Sequence, residues 1–195
     1  MKYIFLLLFS YNLYADGITT QQQTDINSFV NSPNNNVVTL DVSTDNNNVT
    51  ITQTGLQEYE NLLISGSNNT VYITQTQSSG TYSFQETSIT GNTNLYTTSQ
   101  AGNGQTMFSC ISGNNNTVDA TQSGASAHSL TSALTGNNNS LTASQTGTSA
   151  NNATVNLINA GGAASVNLTQ SGGQTVSVTE ICVTASGCQT IKVKQ

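Results

Sequence analysis

Seven glutamines recur along the chain at near-constant spacing, and that spacing constrains the fold more than any other feature. They are Gln53, Gln75, Gln100, Gln122, Gln145, Gln170 and Gln195, separated by 22, 25, 22, 23, 25 and 25 residues. A period of this length marks a solenoid or array of stacked units. The segments "NNNVTITQTG" (46–55), "SNNTVYITQT" (67–76), "NNNTVDATQSG" (114–124), "NNNSLTASQTG" (137–147) and "ASVNLTQSG" (164–172) share one order. An Asn-rich stretch leads into alternating apolar and polar residues that end on Gln.

Four residues before each Gln stand Val49, Val71, Tyr96, Val118, Leu141, Val166 and Ile191. Two before stand Ile51, Ile73, Thr98, Ala120, Ala143, Leu168 and Val193. One before stand Thr52, Thr74, Ser99, Thr121, Ser144, Thr169 and Lys194. Period-two alternation of this kind predicts a strand with one face inward, and the β-branched residues suit a pleated surface. Two residues after the Gln come the turn glycines Gly55, Gly102, Gly124, Gly147 and Gly172; nine before come Gly66, Gly91, Gly113, Gly136 and Gly161. Gly and Asn tolerate positive φ, so both ends of each strand are turns.

Looser second strands lie between: 58–65, 81–90, 105–112, 128–135, 153–159 and 175–184. Only Ile64, Ile89, Ile111 and Leu134, each two before a Gly, form a regular column there. One repeat is therefore strand, turn, strand, turn. It is too small to bury a core alone, but stacked repeats would set like residues over like, about 4.8 Å apart. The glutamines share the inward parity of the apolar columns. Each amide in such a stack can donate to one neighbour and accept from the other, sparing a penalty of roughly 1–3 kcal/mol per unpaired buried group. The expected fold is all-β, a two-strand-per-rung β-solenoid of about six rungs. At about 4.8 Å per rung it is roughly 30 Å long.

Composition excludes several functions. Only 6% of residues are charged, against about 25% in ordinary domains, so order must come from repetition. The three cations are all Lys and the formal net charge is −6, which removes the clustered cations that nucleic acid requires. The opening "MKYIFLLLFSYNLYA" places Lys2 before an apolar run and ends on Ala15. It predicts a signal peptide over 1–15, since the apolar run falls short of the about 20 residues that span a bilayer. The expected mature chain is secreted. Residues 16–32 form a polar N-terminal segment and 33–195 the repeat domain.

The Gln strands resemble the first-strand motif of curlin repeats, Ser-x5-Gln-x-Gly. Curlins are the subunits of curli, the functional-amyloid fibres of bacterial surfaces. The resemblance covers roughly 44–195. It implies rungs of a β-solenoid, subunits stacked end to end, an outer-membrane secretion pore for which 16–32 would be the targeting segment, and a nucleating or major curlin partner. The chain departs from the pattern in several places. The Ser position, six before Gln, holds Asn47, Asn69, Asn94, Asn116, Asn139, Ala164 and Gln189, and Gln75 is followed by Thr76 and Gln77. The family's second strand, Asn-x-Ala-x5-Gln, is not reproduced. The chain is thus similar to a divergent curlin.

No catalytic, metal or cofactor residues are nominated. His128 is the only His and reads as a solvent-facing strand residue. Glu58 and Glu60 share a strand face without the rest of a hydrolase site. Three cysteines are an odd count for a secreted chain. Cys182 and Cys188 flank the last arch and are the preferred disulfide, leaving Cys110 buried or intermolecular. Lys192 and Lys194 lie outward on the final strand, while Asp25, Asp41 and Asp45 lie toward the other end. Opposite charges at opposite ends suit head-to-tail contacts, although scattered charges also serve solubility. The expected function is a structural fibre subunit for biofilm matrix and adhesion. The alternative is a monomeric secreted β-solenoid acting as an adhesin or an ice- or ligand-binding protein. Thr50 and Thr52 begin an outward hydroxyl array that Asp119 and Lys192 interrupt.

Overall fold

A computed structural model describes residues 36–77, 82–160, 162–183, 188 and 190–195. The expected signal peptide 1–15, the polar segment 16–32 with Asp25, Gly161 and Gln189 lie outside them. The chain enters on β1 (Val37–Val42). Six coils follow: β2 (Asn48–Thr54) with β3 (Glu58–Ser65), β4 (Thr70–Thr76) with β5 (Ser83–Thr90), and β6 (Leu95–Gly102) with β7 (Thr106–Ser112). Then come β8 (Thr117–Gly124) with β9 (Ser129–Thr135), β10 (Ser140–Thr146) with β11 (Asn152–Asn159), and β12 (Ser165–Ser171) with β13 (Thr175–Cys182). The half-coil β14 (Ile191–Lys194) ends the stack.

The strands form two seven-stranded sheets, one ordered β1-β3-β5-β7-β9-β11-β13 and the other β14-β12-β10-β8-β6-β4-β2. All pairs are parallel and in register, with Val49 over Val71, Ile51 over Ile73 and Gln53 over Gln75. This is the β-solenoid that the Gln spacing predicts. Burial alternates residue by residue, as in β4, β7 and β12. The columns two and four before Gln face the column Val42, Ile64, Ile89, Ile111, Leu134 and Leu157, and these residues form one continuous core. Each large aliphatic side chain buried there contributes about 1.5–3 kcal/mol.

The arch from an odd to an even strand explains the Asn runs. In Gly113-Asn114-Asn115-Asn116, Gly113 has φ 135° and Asn115 has φ 56°. The stack leaves no room for a side chain at the glycine: a Cβ on Gly66 would lie 1.9 Å from the Gly91 carbonyl oxygen, and one on Gly91 would lie 2.1 Å from that of Gly113. Asn68, Asn115 and Asn138 take the left-handed position, which Asn tolerates better than most residues. Asn92, Asn114 and Asn137 each accept, through Oδ1, a backbone N–H from the coil before, at 2.7 Å.

Candidate functional site

The inward amides form two columns. Gln53 donates through Nε2 to Gln75 Oε1 at 2.8 Å, and the pattern continues through Gln100, Gln122, Gln145 and Gln170 at 2.8–2.9 Å. The second Nε2 hydrogen of each crosses to a carbonyl oxygen at the start of the opposite sheet: Val37, Tyr59, Phe84, Thr106 and Ser129 at 2.9–3.2 Å. Every amide therefore ties successive coils together and also ties the two sheets. From Gln75 to Gln170 these side chains are fully buried. Gln195 does not join them. Its backbone pairs with Thr169 and Ser171, its residue is exposed, and Gln170 donates instead to Gln174 O at 3.1 Å and Asn152 O at 3.3 Å.

The second column stands where the Ser of the resembled motif would be. Asn69 donates to Asn47 Oδ1 at 3.0 Å, Asn94 to Asn69 at 3.0 Å and Asn116 to Asn94 at 3.1 Å. The other Nδ2 hydrogen reaches a glycine carbonyl of the arch, Gly66, Gly91, Gly113 or Gly136. Six is an even offset, so these residues share the inward parity of Gln, and the column was visible in the spacing. It stops at Asn139, whose Oδ1 has no partner because the next residue in the column is Ala164.

His128 corrects an expectation. It is fully buried at the other arch, immediately before β9, rather than facing solvent on a strand. It belongs to a polar column with Glu58, Ser83, Gln105 and Asn151, set by the register of the odd sheet. Its Nδ1 accepts the backbone N–H of Asn151 at 3.1 Å, and Nε2 lies 3.1 Å from Ser123 O. This bonding assigns the hydrogen to Nε2 and makes the ring a structural amide substitute.

Within the core, the Tyr96 hydroxyl gathers Gln85, Thr87, Ser109 and the Met107 sulfur at 2.9–3.6 Å. Burial raises its pKa, partly opposed by the hydrogen bonds of Ser109 and Thr87. Glu58 and Glu60 are buried on β3, and among the described residues none of their four carboxyl oxygens has a donor in full hydrogen-bonding geometry, although the Thr54 and Gln77 backbones and the Thr87 hydroxyl lie close enough to act on them. Burial pushes Glu58 up to about 8, with the Thr54 and Gln77 backbones offsetting only part of it. Burial raises Glu60 well above the carboxylate range; the Thr87 hydroxyl opposes this and the Glu86 charge adds to it. Neutral carboxyl groups are what such sites hold.

Cys182 and Cys188 are joined, with Cα atoms 5.6 Å apart. Cys110 is a free thiol exposed on the outer face of β7 rather than buried. Beside it the odd sheet carries Tyr59 stacked on Phe84 at 4.7 Å, with Phe108 tilted against Phe84 at 5.5 Å. The even sheet's outer face carries Thr52, Thr74, Ser99, Thr121, Ser144 and Thr169 in one registered column. Lys192 and Lys194 extend that face on β14, exposed, and Asp41 and Asp45 are exposed at the opposite end. Among the described residues no cluster of His, Cys, Asp or Glu could hold a metal ion. The chain matches no family model, no curated protein and no solved structure.

Proposed function

We propose that this chain is a secreted structural subunit that stacks end to end into an extracellular curli-like fibre. One observation carries the reading: parallel, in-register strand pairing runs unbroken to the bounding strands at both ends of the described residues. There, β1 and β2, and β13 and β14, each pair on one side only among the described residues. Such edges present unpaired backbone groups to another chain. Continuing the same parallel register would lay Ile191 and Val193 against Val49 and Ile51 of a second copy, and Val176 and Val178 against its Val38 and Leu40. Lys192 and Lys194 would approach the acidic end. The Gln column, running from Gln53 to Gln170, favours the same geometry, since identical amides stack best with copies of themselves. An outer-membrane pore and a nucleating subunit are the partners that this reading calls for.

A second reading, a monomeric adhesin or ligand-binding solenoid, draws on the hydroxyl column of the even sheet. Exposed Tyr72 and Asp119 interrupt the neighbouring column, so the face is not a uniform array for ice. The test is a time course on residues 16–195 released from denaturant, followed by thioflavin fluorescence and electron microscopy. A lag, then fibres, with the lag shortened by seeds, is the expected result. A folded monomer that ignores seeds for days would refute the fibre reading and favour the second.

A further inference from the structure

The two sheets end differently, and the difference is a carboxyl group. On β13 the inward positions are Val176, Val178, Glu180 and Cys182. Three are what a core column requires; Glu180 is not. It stands in register with Leu157 of β11, in the column that otherwise runs Val42, Ile64, Ile89, Ile111 and Leu134. It is 8% exposed, and its Oε2 has no hydrogen-bond partner among the described residues.

Resting on the end-to-end reading above, we propose that β13 is the docking edge for β1 of a second copy, and that Glu180 admits it only with a neutral carboxyl group. Continued register would seat Glu180 between Leu157 below and the incoming Val42 above. Among the described residues no cation is available to it there. The inward residues of the neighbouring strands are Leu157 on β11, Val166 and Leu168 on β12, and Ile191 and Val193 on β14, none of them titratable. Lys192 and Lys194 point outward from β14. The incoming β1 has Asp41 as its charged residue, on the outer face, and the incoming β2 has none. Cys182 is in a disulfide.

An ionised Glu180 would therefore lose its remaining water with nothing in exchange, a cost that an uncompensated buried charge cannot avoid. Protonation from solvent removes that cost and supplies an O–H. Its pKa is already raised by burial within one coil, against a backbone hydrogen bond at Ser165, and covering it completes the burial. An inward-pointing charge on an edge strand is also a known guard against unscheduled pairing. Glu180 would hold the subunit soluble where pH is neutral and release elongation where it is acid.

The experiment measures seeded elongation of residues 16–195 between pH 4.5 and 8, by thioflavin fluorescence and electron microscopy. All variants carry Glu58→Gln and Glu60→Gln, which removes the internal carboxylates from the pH response. Glu180→Gln is compared with Glu86→Gln, an outward substitution that makes the same change in net charge. The parent and Glu86→Gln are expected to elongate at least tenfold faster at pH 5 than at pH 8. Glu180→Gln is expected to elongate fast and nearly independently of pH. Elongation of Glu180→Gln with the parent's pH dependence would overturn the gating while leaving the fibre reading intact. Folded chains that fail to extend seeds at any pH in all variants would overturn both.

Discussion

Replacing Gln122 by Met removes one amide from the middle of the Gln column at nearly constant volume, so packing changes little. Gln122 accepts from Gln100 at 2.9 Å and donates to Gln145 at 2.8 Å and to Thr106 O at 3.0 Å. The substitution leaves Gln145 Oε1 without its donor, removes one donor from Thr106 O, and deprives one Gln100 N–H of its acceptor. Each buried orphan costs about 1–3 kcal/mol. Burial of the apolar Met side chain returns about 1 kcal/mol. The net destabilisation is therefore about 3 kcal/mol. The same change at Gln53 is the internal control. It removes bonds to Gln75 and Val37 only, leaving one buried acceptor, Gln75 Oε1, without its donor. A loss of about 1 kcal/mol is expected there. Urea unfolding of freshly folded, unseeded chain, followed by circular dichroism, measures both. Because coils contact only their neighbours, the central variant should also lower the m-value by uncoupling the two halves. Equal losses at the two sites, or a central loss below about 0.5 kcal/mol, would show that the glutamines fill space and do not act through their bonds.

Three further outcomes follow from the same geometry. Gly91→Ala should cost about 3 kcal/mol or more, because the backbone is at φ 127° and the Cβ would meet the Gly113 oxygen at 2.1 Å; a folded variant with unchanged melting temperature would contradict the tight stacking of the arches. Ala164→Asn should stabilise by about 1 kcal/mol by supplying the donor that Asn139 Oδ1 lacks, read as a rise in melting temperature; a fall would mean that the Asn column ends at Asn139 for want of room. Glu58 and Glu60 are raised in the folded chain from an ordinary 4.5. Stability should thus be full below that value and decline as pH climbs, for Glu58 through about 8. Glu58→Gln should be close to neutral at pH 4 and stabilising by up to about 3 kcal/mol at pH 7; equal effects at both pH values would remove the carboxyl from the account.

The fold was legible because one residue type returns at one position. Gln at a fixed offset from alternating apolar residues dictates strand, parity and stacking together, and the even sheet's register follows from the intervals. The odd sheet was harder to read. Its arch column contains Glu58, Ser83, Gln105, His128 and Asn151, a different polar group in each coil. Nothing in the spacing of unlike residues says that they stack, so a lone His read as exposed. The backbone register alone shows that each is a way of meeting the same polar requirement. Tyr96 illustrates the dependence on the partner sheet. It stands in a Val column, and its hydroxyl is tolerable only because Thr87 and Ser109 face it across the core. The buried Asn column was in view from the start, since its offset from Gln is even. Measured against a Ser motif it looked like a departure; measured by parity it is a second ladder.

The two ladders also differ in direction. Gln53 through Gln145 each donate to the coil that follows, whereas Asn69, Asn94 and Asn116 donate to the coil before. The Asn ladder stops at Asn139 and the Gln ladder at Gln170, whose Nε2 turns to Asn152 O and Gln174 O. At the β2 end Gln53 is the first of its column among the described residues, and its Oε1 is the acceptor side. At the β14 end Gln195 stands one coil beyond Gln170, outside the ladder and paired through its backbone with Thr169 and Ser171. An acceptor at one end and a donor-bearing amide at the other complement each other. Two β2 ends brought together would set acceptor against acceptor, and parallel strands cannot continue in register through such a joint. Contacts between unlike ends are heterologous, and without a rotation that closes a ring they extend indefinitely. On the end-to-end reading proposed above, the direction of this hydrogen bond, repeated from Gln53 to Gln170, favours a filament with a distinct start and finish over a symmetric dimer.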